Sequence, residues 1–259
     1  LLLPLWSDLP FAERAWMATF HSVSAFCNAG FALTDNSFVG MSDHWCVFGV
    51  LSSLIIIGGF GFAALFNLSQ LFKVWFNRTF RSGLFNLPQN RVRLTLTTRL
   101  VVISTIVLLM GGTLSIYLLE RTTPPSDQLP IGFADAWFQS VTFRTAGFNT
   151  VDLGQLQPPT KLFAIMMMVI GASPGSTGGG VKTIVFALAM VGLLSVLRGR
   201  DRVEAAGRTI PVVIVNRALA IFSVSLFTIM AVVESETDTA RWHDTQNQPT
   251  THQTVVRFI

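Results

Sequence analysis

Four long stretches of the chain are apolar and almost free of charged residues. Each has at least the roughly 20 residues that a helix needs to cross the hydrocarbon core of a membrane. Helices satisfy their own backbone groups there, whereas a barrel would need short alternating strands. The pattern predicts an all-α integral membrane protein with four membrane-crossing helices, in His44–Phe72, Leu100–Leu119, Leu162–Leu197 and Thr209–Val233.

Two shorter apolar segments, Phe11–Cys27 and Phe133–Phe143, are followed by small and polar residues instead of a basic loop. Segments this short are typical of core, interfacial or re-entrant helices. Both end in a similar phrase, which reads Phe-x-Ser-Val-[Ser/Thr] and then Ala-Gly-Phe. Gly30 and Gly147 lie 117 positions apart, and this period indicates a duplicated domain unit. We predict two re-entrant helices on one side of the membrane; interfacial helices followed by ordinary glycine turns are the alternative.

The composition excludes an ordinary soluble enzyme. Of the 259 residues, 51% are hydrophobic and only 12% are charged, against about 25% charged residues in soluble domains. The net charge of +4 lies between the apolar stretches and not on one patch, so no nucleic-acid partner is predicted. Two cysteines cannot form a disulfide framework. The chain begins with Leu1 and not with Met, which suggests a fragment of a longer protein.

The basic residues predict an orientation. Lys73–Arg99 carries six basic residues and no acid, and Arg198–Arg208 carries four basic residues against two acids. The segments on the opposite side of the predicted crossings are net acidic. The positive-inside rule therefore places the two basic segments in the cytoplasm of a multi-pass protein of the cell inner (plasma) membrane.

The two repeated phrases can bind a cation through the backbone. A helix that enters from outside directs its C-terminal end, with about −0.5 charge, at the membrane centre. Gly30 and Gly147 permit backbone angles that turn carbonyl oxygens inward. A ring of such carbonyls can replace the water shell of a cation.

The same phrases resemble the filters of the Trk/Ktr/HKT superfamily of potassium transporters, and of its TrkH and KtrB type in particular. That family has four helix–pore-loop–helix repeats around one pore, each with one filter glycine. The resemblance implies two filters here, in Asn28-Ala29-Gly30-Phe31 and Thr145-Ala146-Gly147-Phe148. It implies K⁺ bound by the carbonyls of Asn28, Ala29, Gly30, Thr145, Ala146 and Gly147.

The resemblance also implies partners, and no Ser/His/Asp or Cys/His set lies in one segment to indicate a catalytic site. The expected partners are membrane lipid, a cytoplasmic nucleotide-binding regulatory ring subunit of the KtrA or TrkA type and, for the full-length parent, a second copy of itself. The protein is expected to be no enzyme and to carry no cofactor; Na⁺ is a candidate coupling or activating ion beside the transported K⁺. Only two of the family's four filters fall in this chain, so the function is argued for the parent.

A glycine-rich segment, residues 171–183, interrupts the third apolar stretch. Its five glycines and one proline prevent a continuous helix. The segment resembles the intramembrane gate loop of KtrB-type proteins. A kinked helix and a phosphate-binding loop of a membrane enzyme or anion transporter are the alternatives; for the latter, Val181 stands where the lysine belongs. The gate residues are Gly171, Ser173, Pro174, Gly175, Ser176, Thr177, Gly178, Gly179, Gly180 and Lys182, with Lys182 either functional within the membrane or reaching its cytoplasmic surface.

Charged residues near the filters give weaker expectations. Arg144 is expected to pair with an acid such as Asp135 or Asp152, with direct contact to the ion as the alternative. Asp35 and Asp152 either attract cations to the outer mouth or lie in a solvated loop. By the resemblance, the chain contains the second and third of the family's four repeats. The predicted organisation is the pore helix, filter and inner helix of the second repeat in 1–75, a cytoplasmic basic loop in 76–99, and the third repeat with its filter and gate loop in 100–197. A cytoplasmic loop and the first helix of the fourth repeat follow in 198–233, and a truncated outer loop in 234–259.

Overall fold

The computed structural model describes residues 1–80, 93–122, 131–199, 203–205 and 208–245. They are mostly helical, as the apolar pattern predicts. The chain divides into two compact units, Leu1–Ile184 and Val185–Ile259. The helices are α1 (Phe11–Phe26), α2 (Ser52–Gly59), α3 (Phe62–Phe80), α4 (Leu96–Thr122), α5 (Phe133–Thr142), α6 (Pro158–Val169), α7 (Thr183–Leu197) and α8 (Val212–Thr245).

The two short helices end within one residue of their predicted bounds. Helix α1 follows Pro10, and helix α5 follows Gly132 in an extended conformation. Each has one acid in its first turn, Glu13 or Asp135, where negative charge complements the N-terminal dipole. The two repeats therefore begin with equivalent helices.

The first apolar stretch is not one straight helix. A π-helical turn, Cys46–Leu51, leads into α2, and α3 then departs at an angle of 110°. Gly61 lies at the bend with φ of +81°, a conformation that side chains other than glycine rarely adopt. The predicted single crossing is thus a bent pair of helices.

Within the described residues, α4 alone is long and apolar enough to cross a membrane by itself, and the bent pair would be a second span. The third stretch is split into α6 and α7, as its glycine-rich segment predicts. Helices α6, α7 and the first half of α8 are apolar but shorter than a span. Four crossings therefore remain a prediction from the sequence pattern.

The second unit contains one feature that the sequence did not indicate. Strands β1 (Val203–Ala205) and β2 (Arg208–Ile210) pair antiparallel, with Val203 opposite Ile210. Three residues per strand are too few to produce a period-2 pattern. Helix α8 also continues to Thr245, although the segment after Val233 is polar and was expected to be a loop.

Parts of several predictions lie outside the described residues. These parts are 81–92 of the basic loop, 200–202 and 206–207 of the second basic segment, and residues 246–259. The side chains after Phe227 are described only in part, so the polar end of α8 is known here by its backbone.

The core of the first unit lies between the two short helices and the segments that follow them. Phe38, Phe138 and Phe148 are fully buried in it together with Val47 and Leu51. Helix α5 packs closely on α4, since the Ser140 hydroxyl donates to the carbonyl of Leu109 at 2.9 Å. This contact fixes the second short helix against the one long apolar helix.

Gly112 allows that close packing, and its neighbour Gly111 provides a control. A Cβ on Gly112 would lie 2.4 Å from the Ser140 Oγ, whereas a Cβ on Gly111 would have no atom within 4 Å. We expect Gly112→Ala to destabilise the full-length parent by about 1–3 kcal/mol through overpacking. Gly111→Ala should be neutral or stabilise by up to about 1 kcal/mol, because alanine favours helix. Thermal unfolding in detergent measures both, and equal effects of the two variants would contradict the packing.

Candidate functional site

The two repeated phrases have the same backbone conformation. Asn28 and Gly30 have φ of +50° and +70°, and Thr145 and Gly147 have φ of +67° and +82°. Each pair is separated by one residue, and the pairs are 117 positions apart. Left-handed angles at a non-glycine residue are uncommon and mark functional or tightly constrained sites. The two predicted filters, residues 28–31 and residues 145–148, are called the first filter and the second filter below.

The two filters face each other through their glycines. A Cβ built on Gly30 would lie 2.7 Å from the Gly147 Cα and 2.8 Å from the Ala146 carbonyl oxygen. A Cβ built on Gly147 would lie 2.9 Å from the Gly30 Cα. Glycine is therefore required at each position for two reasons: it can adopt the positive φ, and it leaves room for the close approach of the other filter.

A hydroxyl of each short helix holds the filter that follows it. The Ser24 hydroxyl donates to the Phe31 carbonyl at 2.8 Å. The Thr142 hydroxyl accepts from the Phe148 backbone N–H at 2.9 Å. Ser24 and Thr142 close the shared Phe-x-Ser-Val-[Ser/Thr] phrase, and Phe31 and Phe148 close the filters. Equivalent residues of the two repeats are therefore hydrogen-bonded, although the hydroxyl donates in the first repeat and accepts in the second.

A second pair of buried side chains, His21 and Gln139, binds the segments that directly follow the filters. This role was not predicted from the sequence. His21 Nε2 accepts from the Leu33 N–H at 3.2 Å. With the Gln139 side-chain amide oriented so that its oxygen faces the Thr150 N–H, this oxygen accepts a hydrogen bond from that N–H at 3.1 Å. Both side chains are fully buried. His21 and Gln139 occupy the variable position x of the Phe-x-Ser-Val phrase. A polar residue at this position of an apolar helix, present in both repeats, is the sequence signal that could have indicated their role.

The segments after the two filters are joined to each other. The Phe38 N–H donates to the Asn149 carbonyl at 2.9 Å, and the Gly40 N–H donates to the Thr150 carbonyl at 3.1 Å. The Asn149 N–H donates to the Ser37 hydroxyl at 3.1 Å. These bonds fix the register of one filter against the other.

The glycine-rich segment 171–183, named the glycine loop below, folds back on itself between α6 and α7. The Ala172 N–H donates to the Gly179 carbonyl at 3.1 Å. The buried Ser173 hydroxyl lies 3.2 Å from the Thr183 hydroxyl. Lys182 is half-buried, and its ammonium donates to the Gly178 carbonyl at 2.8 Å. Lys182 therefore binds the loop itself.

The glycine loop lies against the bend between α2 and α3. The Ser173 N–H donates to the Gly59 carbonyl at 3.0 Å, and the Phe62 N–H donates to the Gly175 carbonyl at 3.0 Å. Gly61 has no space for a side chain there, because a Cβ would lie 2.3 Å from the Pro174 carbonyl oxygen. The bend and the loop thus fit each other at glycine positions on both sides.

The glycine loop also contacts both filters. The Asn28 amide donates to the Thr177 hydroxyl at 2.8 Å, and that hydroxyl donates to the Phe26 carbonyl at 3.1 Å. The Gly179 N–H donates to the Thr145 hydroxyl at 2.9 Å. Asn28 and Thr145 are the first residues of the two filters. Three consecutive loop residues, 177–179, therefore span from one filter to the other.

Arg144 lies beside the contact between the glycine loop and the first filter. Two nitrogen atoms of its guanidinium group do not bind the carboxylate that the sequence predicts as their partner. Arg144 is 6% exposed and lines a cavity of about 10 Å³ with Asn28, Gly59 and Ala172. Its Nε and Nη2 atoms are buried and have no hydrogen-bond partner within the described parts of the chain. The predicted pairing with Asp135 or Asp152 is therefore not made through them.

The repeats differ in how much of each filter is covered. In the second filter Ala146 and Phe148 are buried, whereas in the first Phe31 is 69% exposed. The first filter thus leaves more of its surface uncovered by this chain than the second does.

Comparison with known proteins identifies the family of this chain. Residues 9–235 match the TrkH family, which is described as "Cation transport protein". The chain belongs to the TrkH family. Both filters and the glycine loop of this TrkH-family chain lie within the matched residues, and its relatives are transporters and not enzymes.

Curated relatives of the TrkH-family chain are potassium uptake proteins. It is 39% identical over 221 residues to "Ktr system potassium uptake protein B" of Vibrio alginolyticus, covering 82% of this chain and 45% of that protein. It is 34% identical over 237 residues to "Potassium/sodium uptake protein NtpJ" of Enterococcus hirae, covering 90% and 49%. The chain thus spans about half the length of these relatives.

A solved structure supports the same fold. The potassium transporter TrkH from Vibrio parahaemolyticus superposes with a TM-score of 0.57 at 22% sequence identity. The match covers 80% of this chain and 42% of that one. It supports the all-α membrane-transporter fold that the sequence predicts.

Proposed function

We propose that the full-length parent of this chain takes up potassium ions across the cytoplasmic membrane, through a pathway that the two filters line in part. The observation that carries the proposal is the matched backbone of the filters, with left-handed residues at Asn28 and Gly30 and again at Thr145 and Gly147. Residues with positive φ can turn backbone carbonyl groups towards one side, and carbonyl oxygens can replace the hydration shell of K⁺.

The proposed ligands are the backbone carbonyls of Asn28, Ala29, Gly30, Thr145, Ala146 and Gly147. The close approach of Gly30 and Gly147 places the two filters side by side, as adjoining walls of a pathway require. The relatives named for potassium uptake, and the one named for potassium and sodium, support a monovalent cation as the substrate.

The glycine loop is proposed as the gate of this pathway. It lies against both filters and the bend between α2 and α3. The alternative, a phosphate-binding loop, requires free backbone N–H groups. The N–H groups of Ser173, Thr177 and Gly179 already donate to groups of this chain, and this favours the gate.

The proposed partners follow from the Ktr relatives. A cytoplasmic nucleotide-binding ring subunit of the KtrA or TrkA type would dock on the basic segments Lys73–Arg99 and Arg198–Arg208, and the parent would form a homodimer in membrane lipid. The names of the relatives, which include Ktr system proteins B and D, support a multi-component Ktr system. Orientation by the positive-inside rule explains the same charges without a partner.

Uptake of rubidium-86 tests the function. The full-length parent, expressed in a host that lacks its own potassium uptake, should accumulate the tracer above the level of the empty host. Unlabelled K⁺ should compete with the tracer, and competition by Na⁺ measures selectivity. Uptake no greater than in the empty host, from a parent shown to be inserted in the membrane, would contradict the proposal.

A further inference from the structure

We infer that residues 177–179 of the glycine loop act as a clamp on both filters, so that the position of the loop sets ion selectivity as well as pore opening. The inference rests on the proposed function and adds a role to the loop that a gate does not need. A gate has only to obstruct the pathway, whereas this loop is bonded to the residues that shape the filters.

The clamp is hydrogen-bonded to the equivalent residue of each repeat. Asn28 and Thr145 are both the first filter residue and lie 117 positions apart. Each is a non-glycine residue with positive φ, and each has a side chain that is hydrogen-bonded to the loop. Such backbone angles are unfavourable by themselves and persist only where the surroundings hold them. The loop supplies that hold in both filters.

The two bonds use different groups of the loop. The first filter is held by the Thr177 side chain, which accepts from Asn28 and donates to the Phe26 carbonyl at the end of α1. The second filter is held by the loop backbone, through the Gly179 N–H. Gly178, between them, packs so closely that a Cβ would lie 2.5 Å from the Ala172 Cβ and 3.1 Å from the Thr145 Oγ1. A displacement of this tripeptide therefore breaks both bonds together.

Loss of the two hydrogen bonds of the clamp changes the backbone conformation of the filters. Asn28 and Thr145 can then relax towards right-handed angles, which turns the peptide groups that they flank. A carbonyl that has turned away no longer replaces the hydration of K⁺, and discrimination against Na⁺ falls. Thr177 is thus a positioning residue, because it acts on the ion only through Asn28.

Thr177→Val in the full-length parent tests the clamp, because valine keeps the shape and loses the hydroxyl. We expect the preference for K⁺ over Na⁺, measured by competition against rubidium-86 uptake, to fall roughly three- to tenfold, the effect of losing one neutral hydrogen bond. Thr177→Ser keeps the hydroxyl and should retain the native preference. Thr105→Val is the matched control, since the Thr105 hydroxyl on α4 is buried and has no partner within the described residues.

A double-mutant cycle separates the clamp from a general loosening of the fold. If the effect runs through the Asn28–Thr177 bond, Asn28→Ala with Thr177→Val should change selectivity no more than the larger single variant does. Thr145→Val breaks the bond to the second filter and should also lower selectivity, which keeps the test open should Thr177→Val not fold.

The outcomes distinguish this inference from the proposed function. Changed uptake rate with unchanged selectivity in Thr177→Val and Thr145→Val would overturn the clamp and leave a simple gate. Additive effects in the double-mutant cycle would also overturn it. No uptake by the unmodified parent would instead contradict the proposed function itself.

Discussion

Replacing Gly30 or Gly147 with serine in the full-length parent is expected to abolish most of its preference for K⁺ over Na⁺. Two costs add at each position. A side chain at positive φ costs about 1–2 kcal/mol, and its Cβ would lie under 3.0 Å from the backbone of the facing filter. The filters must therefore separate or change conformation, and each 1.4 kcal/mol of lost discrimination is about tenfold in selectivity.

Gly199→Ser provides the matched control for this result. Gly199 has φ of +62°, which carries the same kind of backbone strain, but a Cβ there would have no atom within 4 Å. Its selectivity should therefore stay close to that of the unmodified parent. Competition of K⁺ and Na⁺ against rubidium-86 uptake measures all three variants. Native selectivity in both filter variants would refute a filter role for these glycines.

Opening the glycine loop is expected to raise potassium flux. Gly61→Ala places a methyl group 2.3 Å from the Pro174 carbonyl oxygen, at a residue with φ of +81°. The clash disfavours the position in which the loop lies against the bend. A penalty of about 2 kcal/mol on that position would shift the ratio of closed to open states about thirtyfold. Deletion of part of residues 173–179 should also raise flux and loosen control by the proposed ring subunit.

Gly175→Ala is the comparison for Gly61→Ala. It has φ of +69°, but no atom lies within 4 Å of its added Cβ, so it carries strain without the clash and should raise flux less. Initial rates of rubidium-86 uptake, normalised to the inserted protein, measure both. Flux that falls to nothing in a folded Gly61→Ala protein would count against a gate and for an indispensable structural role.

The sequence was sufficient to predict elements that depend on local pattern. Both short helices agree with their predicted bounds, because length, flanking residues and the shared phrase are all local signals. The interruption between α6 and α7 also follows directly from its glycines and proline. The requirement for glycine at positions 30 and 147 was predicted from the phrases in which they stand.

Contacts between distant residues could not be predicted in this way. Asn28 is hydrogen-bonded to Thr177, which lies 149 positions away in the chain. Nothing in the sequence around either residue indicates the other as its partner. The positive φ of Thr145 was equally hidden, since a threonine gives no signal for a left-handed backbone and the loop that holds it is 34 positions away. The bend at Gly61 was concealed by continuous apolar composition, which fits a straight helix equally well.

The bonds between the segments that follow the two filters have a consequence for recombination between homologues. Phe38 and Gly40 of one repeat donate to Asn149 and Thr150 of the other, so each repeat completes the backbone bonding of its neighbour. The natural unit of exchange in a chimaera is therefore not one repeat as the sequence delimits it. A single crossover between residues 40 and 149 would separate these partners, which are adjacent only in three dimensions, whereas a crossover before residue 37 or after residue 150 would keep 37–40 with 149–150 and transfer the bonded segments together.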